Sequence, residues 1–434
     1  MTQTSEVRSW RSFDELRELQ DERIAQSIRR ASATPHYRER FGWGVDAAIP
    51  TRLDQIPVTT KDHLRASYPF QMLGVPWEEV ATFHESSGSS GQVTSAFYTD
   101  NDWRDVGERF SRLPVDIRAA DTLLVRSPYA MVLAGHLAHY GGRLNGATIV
   151  PADSRSAVTP YSRVVQLLKD LKVTLTWSMP TEPLIWAAAA REAGLDPRVD
   201  FPGLRGILTC GEPLSSARKQ RISEIWGVPV FDDYGATEVG PLASECAFGN
   251  RHFYADRVFP EIYDPHSGEF SSEGVGNLVI TPLQLEAMPM LRYYLEDRVE
   301  LGLEPCACNS WLPVIRLAGR PTQIFEVADK PLSQLDLEEL VFRLPLEYGV
   351  MFWRARADKD ALVVQLEVTD EHARSACSEL EASIRRVLST PCEVTPVEPG
   401  TLMPTDVLTH SRDILKPRSL FGPDEDWASG ILYY

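Results

Sequence analysis

The sequence predicts an α/β fold: a large N-terminal doubly wound domain with a β-rich subdomain, then a small α+β C-terminal domain. Three observations carry this reading. Between residues 121 and 231, short β-branched runs alternate with helical segments of roughly 10–15 residues, the pattern of a mostly parallel sheet. From Gly249 the texture turns to closely spaced strands and hairpin signals. The length of 434 residues exceeds one core, since single cores stop growing near about 250–300 residues. The division predicted is 1–320 for the core domain, with its β-rich part at about 249–320, and 321–434 for the small domain.

The elements follow in order. Ser12 to Ala31 reads as a helix with a capping box, Ser12 and Glu15, and one apolar face of Phe13, Leu16, Leu19, Ile24 and Ile28. PHYRERFG and IPVTTKDHLRASYPF form a turn-rich link into a short helix begun by Thr59 or Thr60. A β-prone approach and a second β-prone run flank the Ser/Gly stretch in Phe83 to Thr99. Asp100–Leu113, Ala130–Leu144, Pro160–Lys172, Glu182–Ala193 and Ser215–Trp226 read as helices. Asp121–Arg126, Ala147–Pro151, Val173–Trp177, Leu204–Thr209 and Pro229–Phe231 read as strands. Two polar loops, CGEPLS and DDYGATEVG, follow the last two strands, where ligands sit in such sheets. The β-rich part predicts a small barrel or meander, with hairpin turns at Asp264–Gly268 and at Gly274 and Gly276. The last region predicts helices at Leu335–Leu344, with Ser333 as cap, and at Glu371–Leu388. Its strands are Met351–Arg356, Ala361–Val368 and Cys392–Val397. The tail from Leu402, punctuated by Pro and Gly, reads as loop.

A net charge of −17 argues against a nucleic-acid or anionic-membrane partner. No apolar run reaches the roughly 18 residues of a membrane helix, and MTQTSEVRSWRSFDELRE lacks a signal-peptide core. The six cysteines, Cys210, Cys246, Cys306, Cys308, Cys377 and Cys392, fit a reducing cytoplasm with thiols or a metal better than a disulfide scaffold.

Two constellations carry chemistry on their own. FHESSGSSGQVTSAFYT supplies serine hydroxyls and bare backbone N–H groups around Gly88 and Gly91, which suits polyphosphate oxygens; the other reading is a flexible turn. Cys246-x5-His252 and Cys306-x-Cys308 offer three thiolates and an imidazole, a ligand set for structural zinc, or else four unrelated small buried residues.

The ordered motifs SSGSSGQVT, CGEPLS, YGATEVGP, LRYYLEDRVEL and LAGR resemble the acyl-adenylate-forming ligases. VTTKDHLRASYPF, AGHLAHYGGRLNGATIVP and SECAFGNRHFYADRVFPEI are similar to the phenylacetate–CoA ligase branch. The resemblance implies a two-step reaction. A carboxylate attacks the α-phosphate of ATP and expels pyrophosphate; a thiol, usually coenzyme A, then captures the acyl-adenylate. It implies that Ser86, Ser87, Gly88, Ser89, Ser90, Gly91 and Thr94 hold the β- and γ-phosphates, with Gln92 where the family carries Lys. Glu238 matches the acid that holds Mg²⁺; the other reading is an acid at a helix N-terminus. Tyr234 and the Gly211-Glu212-Pro213 backbone would flank the adenine, with Asp233, Gly235 and Thr237 beside them. Asp297 matches the ribose carboxylate, or else pairs with Arg298 at the surface. Arg320 matches the family's Arg near the ribose and the hinge of a mobile C-terminal domain. Lys416 stands where the catalytic lysine is expected, outside the usual Gly-Lys setting.

The same resemblance implies an aryl or arylacetic acid bound by Tyr140, Gly141, Trp177, Met179, Pro180, Gly235 and Ala236. His136 and His139 lie on the same helix, and a backbone-satisfied imidazole is the reading preferred for each. Pro321-Thr322-Gln323 replaces the acidic hinge, and FEVADKPLS lacks the glycine expected in the loop lining the thiol tunnel. These departures predict an atypical acceptor, a carrier-protein phosphopantetheine or an amine, with coenzyme A as the other reading. A homodimer is common among similar proteins. A non-catalytic relative that binds nucleotide or aromatic acid is the second class.

Overall fold

The computed structural model describes residues 10–43, 48–86, 93–154, 156–319, 324–409 and 418–427. Helix α1 spans Phe13–Ala31, α2 Pro35–Phe41 and α3 Lys61–Ala66; β1 (Thr82–Glu85) and β2 (Ser95–Tyr98) precede α4 (Asp100–Phe110). Then β3 (Thr122–Arg126), α5 (Leu133–Leu144), β4 (Thr148–Pro151), α6 (Tyr161–Asp170), β5 (Leu175–Ser178), α7 (Glu182–Glu192), β6 (Gly206–Cys210), α8 (Ser216–Trp226) and β7 (Val230–Ala236) alternate. Seven strands follow: β8 (Gly240–Glu245), β9 (Arg251–Phe253), β10 (Val258–Tyr263), β11 (Phe270–Ser271), β12 (Gly274–Pro282), β13 (Tyr293–Gly302) and β14 (Val314–Leu317). The last region holds β15 (Ile324–Val327), β16 (Lys330–Ser333), α9 (Gln334–Val341), β17 (Trp353–Ala357) and β18 (Leu362–Glu367). It ends with α10 (Asp370–Val387), β19 (Cys392–Val397), α11 (Thr405–Thr409) and β20 (Leu420–Phe421).

Side-chain caps set several helix starts. Ser12 accepts from Glu15 N, Thr60 exchanges bonds with His63, Thr99 with Asp102, and Ser333 with Asp336. Each satisfies backbone donors that the first helical turn leaves without partners.

The chain divides into two compact units. The first contains Met1–Ala119, Tyr129–Ala147 and Asp233–Arg320. Its strands run in the order β11-β10-β12-β13-β14-β9-β8-β7, with antiparallel pairing from β10 to β12, β12 to β13 and β13 to β14. β1 and β2 form a separate antiparallel hairpin. The second unit contains Ala120–Pro128, Thr148–Asp232 and Pro321–Tyr434. Its order β4-β3-β5-β6 is parallel throughout, then β7. Also in it are the hairpin β15–β16 and a four-stranded sheet, β19-β18-β17-β20. One core runs through this unit, from Trp186, Ile207 and Trp226 to Phe352, Leu366 and Leu380, all buried.

Several expectations are corrected. DDYGATEVG is not a loop throughout: Asp233, Tyr234, Gly235 and Ala236 lie on β7, held by antiparallel pairing to β8. Glu238 therefore sits in a β-turn rather than at a helix N-terminus. Gly274 and Gly276 lie inside β12, opposite Leu301 and Val299. The β-rich part is a meander, not a barrel. PHYRERF is a helix, capped by Thr34 and ended by Gly42 in a left-handed conformation. FEVADKPLS is a hairpin whose turn residues Ala328 and Asp329 have positive φ without a glycine. The tail contains α11 and β20, the latter pairing parallel with β17.

Candidate active site

Within the first unit, the flanks of the serine turn and the acidic residues form one hydrogen-bonded set. Ser86 N donates to Thr94 O and Thr94 N to Ser86 Oγ, both at 3.0 Å, closing the β1–β2 hairpin. Thr94 Oγ1 donates to Glu238 Oε1 at 2.8 Å, and Tyr293 OH donates to the same oxygen at 3.3 Å. Glu238 is buried. Its turn is fixed from behind. Tyr98 OH donates to Thr237 O at 2.7 Å. Buried Arg109 donates to Val239 O at 3.0 Å and also to Pro241 O. Gly235 is required by space, because a Cβ there would lie 2.7 Å from Gly240 O.

Asp297 lies on β13, and Tyr234 OH donates to its Oδ2 at 2.6 Å. Glu296, just before it, has φ +66°, which turns the strand. The start of β13 is pinned by Thr59 N donating to Arg292 O and Tyr294 N donating to Thr59 O, each at 2.9 Å. Tyr293 and Asp297 thus share β13, while Tyr234 and Glu238 share the β7–β8 hairpin. Two hydrogen bonds, Tyr293–Glu238 and Tyr234–Asp297, tie β13 to this hairpin, and a third, Thr94–Glu238, ties the flank of the serine turn to it. Asp233 is buried, opposite Ser244.

Within the second unit, Gly211 has φ +84° and an exposed backbone; a Cβ there would meet only Met179 Cγ, at an ordinary 4.0 Å, so conformation rather than space demands glycine. Pro213 is exposed as well. Glu212 turns inward instead. Its Oε2 accepts from Thr181 Oγ1 at 2.8 Å and from Arg218 at 3.3 Å. Burial pushes its carboxyl up to about 7, against the pull of Arg218.

An AMP-binding enzyme family matches residues 72–281. A phenylacetate–coenzyme A ligase of Aromatoleum evansii is 32% identical over 411 residues, covering 89% of this chain and 91% of that protein. Another, of Thermus thermophilus, is 33% identical over 382 residues, covering 85% and 84%. The chain belongs to the phenylacetate–CoA ligase-like branch of the AMP-forming ligases. A 2-hydroxyisobutyryl-CoA ligase solved in complex with 2-HIB-AMP shares the fold, with a TM-score of 0.83, 20% identity, and coverage of 97% of this chain and 92% of that one. The ligase is an AMP-forming acid–CoA ligase, and the non-catalytic alternative falls away.

Other expected site residues of the ligase are placed as follows. Ser87, Gly88, Ser89, Ser90, Gly91, Gln92, Arg320, Pro321, Thr322, Gln323 and Lys416 lie outside the described residues. In the first unit Tyr140 packs on Trp103, ring centroids 5.5 Å apart. Gly141 abuts Phe110, where a Cβ would come within 2.3 Å of the ring, so helix packing accounts for the glycine by itself. His136 Nε2 faces Tyr129 O at 2.8 Å, the backbone-satisfied arrangement expected. In the second unit Trp177, Met179 and Pro180 are buried on and after β5.

Cys246, His252, Cys306 and Cys308 converge, each offering a ligand atom within 4.8 Å of the others. Cys246 Sγ and Cys306 Sγ are 3.8 Å apart, and Cys308 Sγ is 3.2 Å from His252 Nε2. Tetrahedral zinc with Zn–S near about 2.3 Å sets its sulfurs roughly 3.8 Å apart, so the donor set fits. His252 Nδ1 faces Leu312 O at 3.0 Å, which leaves Nε2 for a metal. The close C-x-C spacing works because a tight turn at 307–308, closed by Asn309 N donating to Cys306 O at 2.9 Å, folds the chain back at the two cysteines.

Sequence reading missed Tyr98, Arg109, Tyr293 and Arg218. Tyr293 stood inside a quoted motif and could have been suspected. Asp105 and Glu212 lie close in sequence to Arg109 and Arg218, but nothing local signals the carbonyls of Val239 and Pro241 or the Glu338 carboxylate that these buried arginines also reach.

Proposed function

We propose that the ligase adenylates an aryl or arylacetic acid with ATP and transfers the acyl group to coenzyme A. The observation that carries this reading is the hydrogen-bonded set joining Thr94, Glu238 and Tyr293, beside the Tyr234–Asp297 bond. Such a set holds Glu238 beside Thr94 and Asp297 beside Tyr234 within one unit, which supports one nucleotide reaching both carboxylates. The phenylacetate–coenzyme A ligase relatives support the acid class.

In the first step a carboxylate oxygen of the acid bonds to the α-phosphorus and the bond to pyrophosphate breaks. In the second the thiol sulfur bonds to the acyl carbon, AMP leaves, and the thiol proton goes to solvent. Ser86 to Thr94 would hold the β- and γ-phosphates, Asp297 the ribose hydroxyls, and Tyr234 with the Gly211-Glu212-Pro213 backbone the adenine. Glu238 would hold Mg²⁺, which supplies charge neutralisation between two anions. Asp233, Gly235 and Thr237 would line the nucleotide, and Tyr140, Gly141, Trp177, Met179, Pro180 and Ala236 the acid. Arg320 and Lys416 would serve the hinge and the reacting carboxylate in a small domain of 321–434. Cys246, His252, Cys306 and Cys308 would hold a structural zinc. A cytoplasmic setting is supported by six cysteines that form no disulfide.

Carboxylate-dependent ATP–pyrophosphate exchange over a panel of aryl, arylacetic and short aliphatic acids tests the first step. The acceptor is tested by offering coenzyme A, a phosphopantetheinyl carrier and hydroxylamine to the adenylate. Exchange with arylacetic acids and product only with coenzyme A is expected. Exchange confined to aliphatic acids overturns the acid class, and turnover only with carrier or amine overturns the acceptor.

A further inference from the structure

Arg218 is a cation shared by two carboxylates from distant parts of the second unit. Nη2 lies 3.3 Å from Glu212 Oε2 and Nη1 3.2 Å from Glu338 Oε2. The side chains of Arg218, Glu212 and Glu338 are 6%, 5% and 2% exposed. Nη2 also donates to Thr181 Oγ1, whose own proton goes to Glu212 Oε2.

Glu338 stands on α9. Its Oε1 accepts from Ser215 N at 3.0 Å, and Glu339 Oε2 accepts from Ala217 N at 2.9 Å. Ser215 is the N-cap of α8 and closes the CGEPLS loop. Two acids of α9 thus occupy the donors at the start of α8, where the helix dipole favours negative charge.

As a stabilising device this network is poor. Removing charges from water costs about as much as their attraction returns. Here two carboxylates share a guanidinium, and Glu212 Oε1 and Arg218 Nε reach no hydrogen-bond partner. Its consequence is geometric. The position of Glu212 depends on Arg218, and that of Arg218 on Glu338. Glu212 sits between Gly211 and Pro213, so the anchoring of its carboxylate by Thr181 and Arg218 restrains their exposed backbone.

We propose that Arg218 is a positioning residue through which helix α9 sets the conformation of the Gly211-Glu212-Pro213 loop, so that the loop grips nucleotide tightly only while Glu338 is docked beside Arg218. This rests on the reading of that loop as nucleotide-facing. Linkage requires the reciprocal effect: nucleotide binding tightens the docking of α9 by the same factor.

The test uses the full-length ligase and acid-dependent ATP–pyrophosphate exchange. Glu338→Gln keeps an acceptor for Ser215 N and removes the charge. Arg218→Lys keeps the charge and removes the planar fork that reaches both carboxylates. Each raises KM for ATP about tenfold, with the rate at saturating ATP within about twofold of the parent, and the double variant is no worse than either single one. Glu339→Gln, which removes a neighbouring charge on α9 while keeping an acceptor for Ala217 N and leaving Glu338 beside Arg218, leaves KM for ATP unchanged. In the parent, ATP slows amide hydrogen exchange in 334–341; in Glu338→Gln it does not. Equal losses of rate and melting temperature at unchanged KM overturn the proposal, as does an α9 whose exchange ignores ATP. Gly211→Ala separates the two layers. If it leaves KM for ATP unchanged, the loop does not face nucleotide and the proposal falls with that reading. If it raises KM while Glu338→Gln does not, the coupling alone is refuted.

Discussion

Removing the two hydroxyls that converge on Glu238 Oε1 gives a quantitative test of how the carboxylate is held. Thr94 Oγ1 stands 2.8 Å away and Tyr293 OH 3.3 Å. Hydrogen bonds to charged groups contribute about 1.5–3 kcal/mol, and the longer Tyr293 bond belongs at or below the lower end. Thr94→Val should therefore lower kcat/KM of pyrophosphate exchange by about 10–100-fold, and Tyr293→Phe by about 5–10-fold, since each 1.4 kcal/mol is tenfold. Because both donors act on one oxygen, loss of either lets the carboxylate swing, and the second deletion then removes less. The double variant should fall short of the product of the single losses, with a coupling of roughly 0.5–1.5 kcal/mol. Tyr293→Phe leaves the buried ring in place, so melting temperature should change little. The assay is exchange rate against Mg²⁺ concentration, with half-saturation rising in both single variants. Losses that multiply, or a half-saturation that stays put, would refute the convergence on Glu238.

Three further outcomes are expected. Gly235→Ala places a Cβ 2.7 Å from Gly240 O, between backbone atoms that cannot move aside; the melting temperature should drop by the equivalent of about 1–3 kcal/mol, and an unchanged value would contradict the close approach. Glu212 has a folded carboxyl near 7 against an ordinary 4.5, raised first by burial and then by Glu338 and Glu182, with Arg218 and Thr181 opposing. The folded state therefore binds the extra proton, and that contribution is fully present below 4.5 and lost as pH rises through 7. Glu212→Gln should gain thermal stability relative to the parent across that window, and a gap that narrows with rising pH would contradict it. Chelator-washed ligase should retain about one zinc per chain, lost in Cys308→Ser with a lower melting temperature; well under one zinc in the parent removes the metal.

Much of the fold was legible because alternating strand and helix patterns depend on local side-chain period. Ser12, Thr60 and Ser333 marked helix starts correctly for the same reason, since a cap and its partner lie three residues apart. DDYGATEVG misled because Asp, Gly and Thr read as turn, whereas its first half is held as strand by β8, a tertiary fact. Gly274 and Gly276 misled likewise, and Ala328–Asp329 made a positive-φ turn without the residue that usually signals one. At the candidate site, residues inside ordered motifs were readable. Arg109 and Arg218 were not: Asp105 and Glu212 lie near them in sequence, but the carbonyls of Val239 and Pro241 and the Glu338 carboxylate that complete their buried settings lie more than a hundred residues away.

The account stands most directly on the passage of the acid's oxygen into AMP. With ¹⁸O-carboxylate-labelled phenylacetic acid, ATP and coenzyme A, the account predicts one ¹⁸O atom in the AMP released per acyl group transferred, because the carboxylate oxygen bonds to the α-phosphorus and leaves with it. Thioester formed with unlabelled AMP, or label in inorganic phosphate alongside ADP, would contradict it.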